Sequence, residues 1–386
     1  MQMLDLILFV PAVLAGASFI YVCICVVSVL RFRARLKARG ASTFQPPVTI
    51  LKPICGLEHE LAKNLRSFCD QDYTDLQVIF GVRENTDAAI PVIKRVIAEF
   101  PDRDLSLVID DTVIGSNYKV SNLANMFETA RHDIIVVADS DMRVGPNYLQ
   151  AVAAPFQDPG VGAATCVYSG RAAGGLASRL GAMFVNDWFL PSALIPALFG
   201  RLTYCFGATM AIRRANLVDF GAFGALANIL ADDYMFGRFV HQQGDRVALV
   251  PYIVENVIDE PHMKGLFLHE LRWARTIRSV EPLGYALSAI TEVIALAVLA
   301  AICLYAATGT LGLAGSLLGA ALVLRLALHF LVSTIIPSRG SATPWLLPLR
   351  DLLSPLVRLV SFFGRKVIWR EHEMVIHADI HLKPAE

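Results

Sequence analysis

The stretch IIVVADSDMRV, Ile134 to Val144, begins as a run of β-branched residues and ends on two carboxylates, Asp139 and Asp141, one residue apart. Ile134–Ala138 reads as a buried strand, because a short continuous apolar run suits a strand covered on both faces. Upstream, Val48–Leu51, Val78–Val82 and Leu105–Ile109 read as strands too, separated by helical patterns over Glu58–Cys69, Ala88–Phe100 and Val120–Ala130. Such alternation predicts βαβ units in a mainly parallel sheet, an α/β domain over residues 47–265. Ligands of these sheets gather at the carboxyl ends of the strands. Glu84 and Asp87 lie just past the second strand, and Asp139 and Asp141 just past the fourth. No GxGxxG or GxxxxGK[ST] follows any of these strands, which removes the main support for dehydrogenase and P-loop chemistry.

Outside that domain the composition shifts. The 386 residues are 55% hydrophobic and 18% charged, against about 25% charged in a soluble domain, so part of the chain has left water. Its 34 basic and 34 acidic side chains balance, unlike the basic stripe of a nucleic-acid-binding protein. Ile7–Leu30 carries no charge and is long enough to span a bilayer. It is too long for a signal-peptide core, and no basic segment precedes it. RFRARLKAR (Arg31–Arg39) follows, and positive flanks stay on the cytoplasmic side. Residues 4–30 therefore read as an anchor and the α/β domain as cytosolic.

Hydrophobicity returns over residues 284–336, read as two transmembrane helices interrupted by Glu292, Arg325 and His329. Charges at such depth are costly, so these three are either paired with one another or line a lipid-entry groove. Residues 344–364, broken by Pro348 and Pro355, read as an interfacial or re-entrant helix, and 365–386 as a cytosolic tail. His372, His377 and His381 belong to that tail and suggest no metal site. Seven cysteines without a CxxC pair read as buried thiols in a reducing compartment.

Three clusters carry candidate chemistry. Two carboxylates in the Asp139-Ser140-Asp141 turn can hold a hard divalent ion, Mg or Mn, that bridges nucleotide phosphates; an ordinary polar turn is spelled the same way. Asp232-Asp233 places adjacent carboxylates on a mainly apolar segment, which is expensive unless they are paired, metal-bound or poised for proton transfer. One of them is a candidate general base, although a helix N-terminus also favours negative charge. In HELRWAR (His269–Arg275), Arg272 can clamp a phosphate and Trp273 can pack a sugar or lipid face; a positive flank beside a membrane span has the same letters. Lys119, in GSNYKVSN (Gly115–Asn122), is a further candidate for phosphate.

Taken together, KPICGLEHELAKNLRSFCDQDY, GVRENTDAAIPVIKRV, GSNYKVSNL, ADSDMRV, FGATMAIRR, LADDY and HELRW occur in one order that resembles the family 2 and family 21 glycosyltransferases. The likeness is strongest to ceramide glucosyltransferases and their bacterial hopanoid-associated relatives, and it covers most of the chain. The resemblance implies a GT-A fold and transfer of glucose or N-acetylglucosamine from a UDP-sugar to a membrane-lipid hydroxyl, ceramide or a polyol hopanoid. It places Glu84 and Asp87 at the nucleotide base, Asp104 on an aspartate the family requires, and Lys119 and His269 with the donor-binding residues. Asp139 with Asp141 falls on the metal–diphosphate motif, Asp233 on the catalytic base, and Arg272–Trp273 on the end of the Q/RxxRW motif. His269 stands where Gln or Arg is usual. A single displacement with one base implies inversion of configuration. The setting implied is an integral membrane protein, of a bacterial inner membrane, with no nucleic-acid partner. Tyr168–Pro191 is expected to shape the acceptor side. A polymerising polysaccharide synthase and a non-catalytic nucleotide-sugar-binding protein are the competing readings.

Overall fold

The computed structural model describes residues 3–40, 42–337, 343–369, 372–376 and 382–384. Every residue of β1 (Val48–Pro53) and β2 (Leu76–Val82) is buried, as is all of β4 (Ile134–Val137), so the apolar runs are strands covered on both faces. Together with β3 (Asp104–Ile109) they form the parallel half of a sheet ordered β3-β2-β1-β4-β7-β6-β8-β5. Helices α2 (Leu61–Cys69), α3 (Ile90–Glu99) and α4 (Tyr118–Phe127) make the crossovers.

The second half is not simply parallel. After β5 (Met142–Arg143) and α5 (Tyr148–Ala153), β6 (Val161–Ala172) runs parallel to β8 (Arg246–Ile258), while β7 (Met210–Arg213) is antiparallel to both β4 and β6. The sheet is thus mixed, in the GT-A manner. Between β6 and β7 come α6 (Leu176–Met183), a π-helical turn at Phe184–Phe189, and the short helices α7 (Leu190–Ala193) and α8 (Ile195–Leu198). Short α9 (Arg214–Asp219) and α10 (Asp232–Gln242) lie between β7 and β8. The π-turn is clamped to the sheet: Asn186 exchanges two hydrogen bonds with the backbone of Gly170, 2.8 and 2.9 Å. A Cβ on Gly170 would sit 2.8 Å from the Ala182 backbone, so this approach needs glycine.

Helix α1 (Met3–Ala38) continues without a break from the apolar run through the basic one. Arg35 donates to the Leu249 carbonyl at 2.8 Å and Arg39 to the Pro251 carbonyl at 3.1 Å, seating its end on β8. Its apolar part packs Val22, Cys25 and Val29 into one core with α13 (Val293–Thr308) and α14 (Leu311–Ser333). Among the described residues, Phe9–Ala38 and Leu311–Ser333 are long and apolar enough to cross a membrane. The third apolar segment is bent: Pro282–Thr291, which includes α12 (Pro282–Leu287), meets α13 at 66° beside Glu292.

Glu292, Arg325 and His329 are not paired with one another. Glu292 bonds Arg358 at 3.0 Å, Arg325 bonds Asp351 in a two-pronged contact, and His329 bonds Asp187 at 2.6 Å. Arg358 and Asp351 lie on α15 (Leu347–Ser361), which turns Arg350 and Asp351 inward and leaves Leu349, Leu352, Leu356 and Leu359 exposed. Arg350 in turn forks onto Glu270 with two bonds of 2.7 Å, Glu270 being on α11 (Met263–Val280). The segment read as a tail forms an antiparallel sheet of β9 (Lys366–Trp369), β10 (His372–Ile376) and β11 (Leu382–Pro384); His377 and His381 lie outside the described residues. Among the cysteines, Cys25, Cys69, Cys166 and Cys205 are buried, whereas Cys23 and Cys55 are exposed.

Candidate active site

Asp139 follows β4 directly, at the carboxyl end of the parallel strands. The neighbouring strand β1 supplies Lys52, the one charge in VTILKP, whose ammonium donates to the Asp139 carbonyl at 2.5 Å and lies 3.7 Å from the Phe68 ring centre. Burial draws the Lys52 pKa down to about 8, against the pull of the Asp141 and Asp139 carboxylates. Asp141 accepts from Asn256 of β8 at 2.8 Å, and its other oxygen is buried without a hydrogen-bond partner among the described residues. Burial, then the Glu58 and Asp139 carboxylates, push its carboxyl up to about 7.

Asn117 caps α4 by accepting from Val120 N–H at 3.1 Å, while its amide donates to the Ile229 carbonyl at 2.7 Å. That stitch brings Lys119, in the first turn of α4, to the start of α10. The Lys119 ammonium lies 2.8 Å from Asp139 and 3.1 Å from Asp232. Asp233 accepts from the N–H groups of Tyr234 at 2.8 Å and Gly207 at 2.9 Å. A Cβ on Gly207 would fall 3.1 Å from an Asp139 oxygen and 3.5 Å from an Asp233 oxygen. The carboxylates of the two acidic motifs therefore converge on one glycine.

Burial first, and then the Asp232 carboxylate, raise the Asp233 carboxyl to about 6, with Lys119 pulling the other way. A base works only when ionised. If Asp233 is that base, kcat/KM should fall about tenfold per pH unit below about pH 6 and level off above it. A pH–rate profile that stays flat from pH 5 to 8 would exclude this role.

From α11, Arg272 enters the same space. Burial lowers its pKa, and the charges opposing that shift are those of Asp139, Tyr168, Asp232 and Asp233. Trp273, next to it, stacks on Phe184 at 5.6 Å between ring centres, and Phe184 stacks on Trp188 at 4.8 Å. His269 sits edge-on to Trp273 at 4.3 Å and is held by Glu260 at 2.7 Å. The result is a cluster of alternating charge, Lys119 and Arg272 among Asp139, Asp232 and Asp233, while Trp273, the residue after Arg272, begins a row of aromatic rings shared by α11 and the π-turn.

A family model described as "Glycosyl transferase family 21" matches residues 10–381. The chain belongs to that family. Ceramide glucosyltransferase 1 of Caenorhabditis elegans is 22% identical over 205 residues, 53% of this chain and 44% of the relative. The ceramide glucosyltransferase of Candida albicans is 35% identical over 115 residues, 27% of this chain and 21% of the relative. The matches thus span less than half the length of these curated relatives. Among solved structures, the mannosyltransferase PcManGT from Pyrobaculum calidifontis, in complex with GDP-Man and Mn2+, superposes with a TM-score of 0.54 at 19% identity, covering 89% of this chain and 99% of that one. That likeness is one of fold.

Not every predicted residue of this family 21 chain reaches the charged cluster. Glu84 is exposed, and Asp87 accepts from the N–H groups of Gly56 and Ala89, bracing the loop after β2. Asp104 stands apart. It opens β3 opposite Gln77, at the amino end of the sheet, and pairs on the surface with Arg131. Because a strand has two ends and the carboxylates gather at the other, Asp104 is a surface ion pair in this structure. Conversely, Lys52, Tyr168 and Gly207 lie in stretches the sequence singled out but carried no individual role there. A lone lysine closing an otherwise apolar strand was the available signal for the first; nothing local marks the other two.

A divalent ion fits the acidic turn only as part of a shared shell. Among the described residues, no group of three or more His, Cys, Asp or Glu side chains is arranged to hold a metal. Magnesium-type ions, however, take one or two carboxylates and complete their shell with water and phosphate oxygens. Asp139 and Asp141, with the unpartnered buried oxygen of Asp141, suit that use.

Proposed function

We propose that this family 21 chain moves a hexose from a UDP-sugar to the hydroxyl of a membrane lipid, with inversion at the anomeric carbon. The observation that carries the reading is the convergence of the Asp139 and Asp233 carboxylates on Gly207, with Lys119 bonded to Asp139 and the charge of Arg272 acting on both. Asp233 takes the proton of the lipid hydroxyl as its oxygen bonds to the anomeric carbon. The bond from that carbon to the diphosphate breaks in the same displacement, and UDP departs. Asp139 and Asp141 would hold Mg or Mn, which when bound offsets the charge of the departing diphosphate. Lys119 and Arg272 add fixed positive charge at the same place. The aromatic row suits the sugar face and the lipid headgroup.

The membrane reading follows the apolar surfaces. Residues 4–30 anchor the chain, α14 and the bent segment around α13 add further membrane contact, and the leucine face of α15 lies along the interface. The basic run after the anchor keeps the catalytic domain, residues 47–265, on the cytosolic side, in a bacterial inner membrane. Ceramide and polyol hopanoids are the acceptor classes, the hopanoid branch being slightly favoured by general likeness of sequence.

The test is a transfer assay on membranes containing the full chain. UDP-glucose and UDP-N-acetylglucosamine are offered separately with ceramide and with bacteriohopanetetrol, and the lipid extract is read by mass spectrometry. One donor–acceptor pair should yield a glycolipid. A soluble or polymeric sugar product in place of a glycolipid would show the lipid reading to be wrong.

A further inference from the structure

Two buried polar atoms remain where α14 meets the π-turn. Asp187, 2% exposed, gives one oxygen to His329 Nδ1 at 2.6 Å and leaves Oδ2 without a partner among the described residues. His329, 5% exposed, likewise leaves Nε2 without one among the described residues. Both residues line the same small cavity, about 10 Å3, whose other walls include Met183, Val332 and Ile336. That is room for about one water-sized group. Leaving such buried atoms unpaired is costly, and ionisable groups on a segment this apolar usually mark a functional path.

The arrangement around the pair is over-determined. The Asp187 carbonyl accepts from Arg325 at 3.1 Å, Arg325 is fixed by Asp351, and the adjoining Asn186 is clamped to Gly170. The same turn carries Phe184 and Trp188 of the aromatic row. On the outer side, Val323 and Phe330 of α14 stay exposed. The cavity therefore lies between α14 and the turn that carries these rings.

We infer that Asp187 and His329 form an acceptor subsite, binding a second hydrogen-bond donor, a hydroxyl or amide N–H, on the polar backbone of the lipid whose first hydroxyl is glycosylated. The inference rests on the lipid-acceptor reading above. With Nδ1–H given to Asp187, the open Nε2 and Oδ2 are both acceptors, so the group they select is a donor, and a methyl ether or a deoxy analogue leaves them unpaired. Asp187 and His329 are positioning residues; neither touches the reacting atoms.

The experiment compares whichever of ceramide and bacteriohopanetetrol the wild type glycosylates with its analogue deoxygenated at the hydroxyl nearest the acceptor one. Wild type should prefer the parent lipid by about tenfold or more in kcat/KM. His329→Asn keeps a donor near the Nδ1 position and deletes Nε2; Asp187→Asn keeps the bond to His329 and turns Oδ2 into a donor. Both variants should lose most of that preference through a raised KM for the parent lipid. The KM for the UDP-sugar should stay unchanged, which also reports that the variants are folded. Variants that keep the wild-type preference overturn the subsite and leave a structural pair bridged by water. A wild type that glycosylates neither lipid overturns the acceptor class, and this subsite's ligand with it.

Discussion

Replacing Asp233 by Asn should lower transfer by about three orders of magnitude while leaving UDP binding near its wild-type strength. The size follows from the role: a positioned general base contributes about 10²–10⁴-fold, and the amide cannot take the proton of the attacking hydroxyl. The fold should be kept, because Asn still offers an oxygen to either the Gly207 or the Tyr234 N–H that the carboxylate now accepts. Removing a negative charge at this point also relieves repulsion with Asp232, so the variant should be no less stable. Transfer by mass spectrometry and UDP affinity by calorimetry separate the two effects. Turnover within about tenfold of wild type would mean that another group accepts the proton. Asp232 would be the next candidate, as the neighbouring carboxylate whose charge Asp233 already feels.

The largest expected effect on stability lies away from the chemistry. Arg325 and Asp351, 5% and 9% exposed, share bonds of 2.7 and 2.8 Å. Arg325→Leu leaves the Asp351 carboxylate buried and also strips the Asp187 carbonyl of its donor. Breaking one side of a buried pair costs about 3–5 kcal/mol, whereas replacing both sides with apolar residues is often close to neutral. The single variant should therefore unfold much more readily in detergent, and Arg325→Leu/Asp351→Leu should recover most of the loss. Equal thermal midpoints for wild type and the single variant would show that the pair does not hold α14 to α15.

What the sequence disclosed follows from how local each signal is. The runs at Val48, Val78, Leu105 and Ile134 are strands within two residues of the expected bounds, because continuous β-branched runs bounded by polar loops leave little choice. The acidic turn after the fourth strand is legible for the same reason: strand ends fix where a following carboxylate sits. The antiparallel insertion of β7 between β4 and β6 was not legible, since the short helices and π-turn that precede β7 carry no signal of the direction in which it returns. The three ionisable residues of the apolar segments likewise found partners at Asp187, Asp351 and Arg358, each far along the chain. Periodicity speaks of one face of one element and says nothing of such matches. Asp104 shows the converse, a residue singled out by a motif that the strand direction carries to the amino end of the sheet, away from the acidic cluster.

Helix α1 and the catalytic domain share no slack. The helix runs straight from its apolar stretch into a basic end bolted by Arg35 and Arg39 to the carbonyls of Leu249 and Pro251. On the membrane reading, the height of Asp233 above the hydrocarbon is then a built-in length, not the reach of a tether. Such a molecule selects acceptors by a depth gauge: a hydroxyl carried too far out, or sunk too deep, passes the site at the wrong level whatever its chemistry.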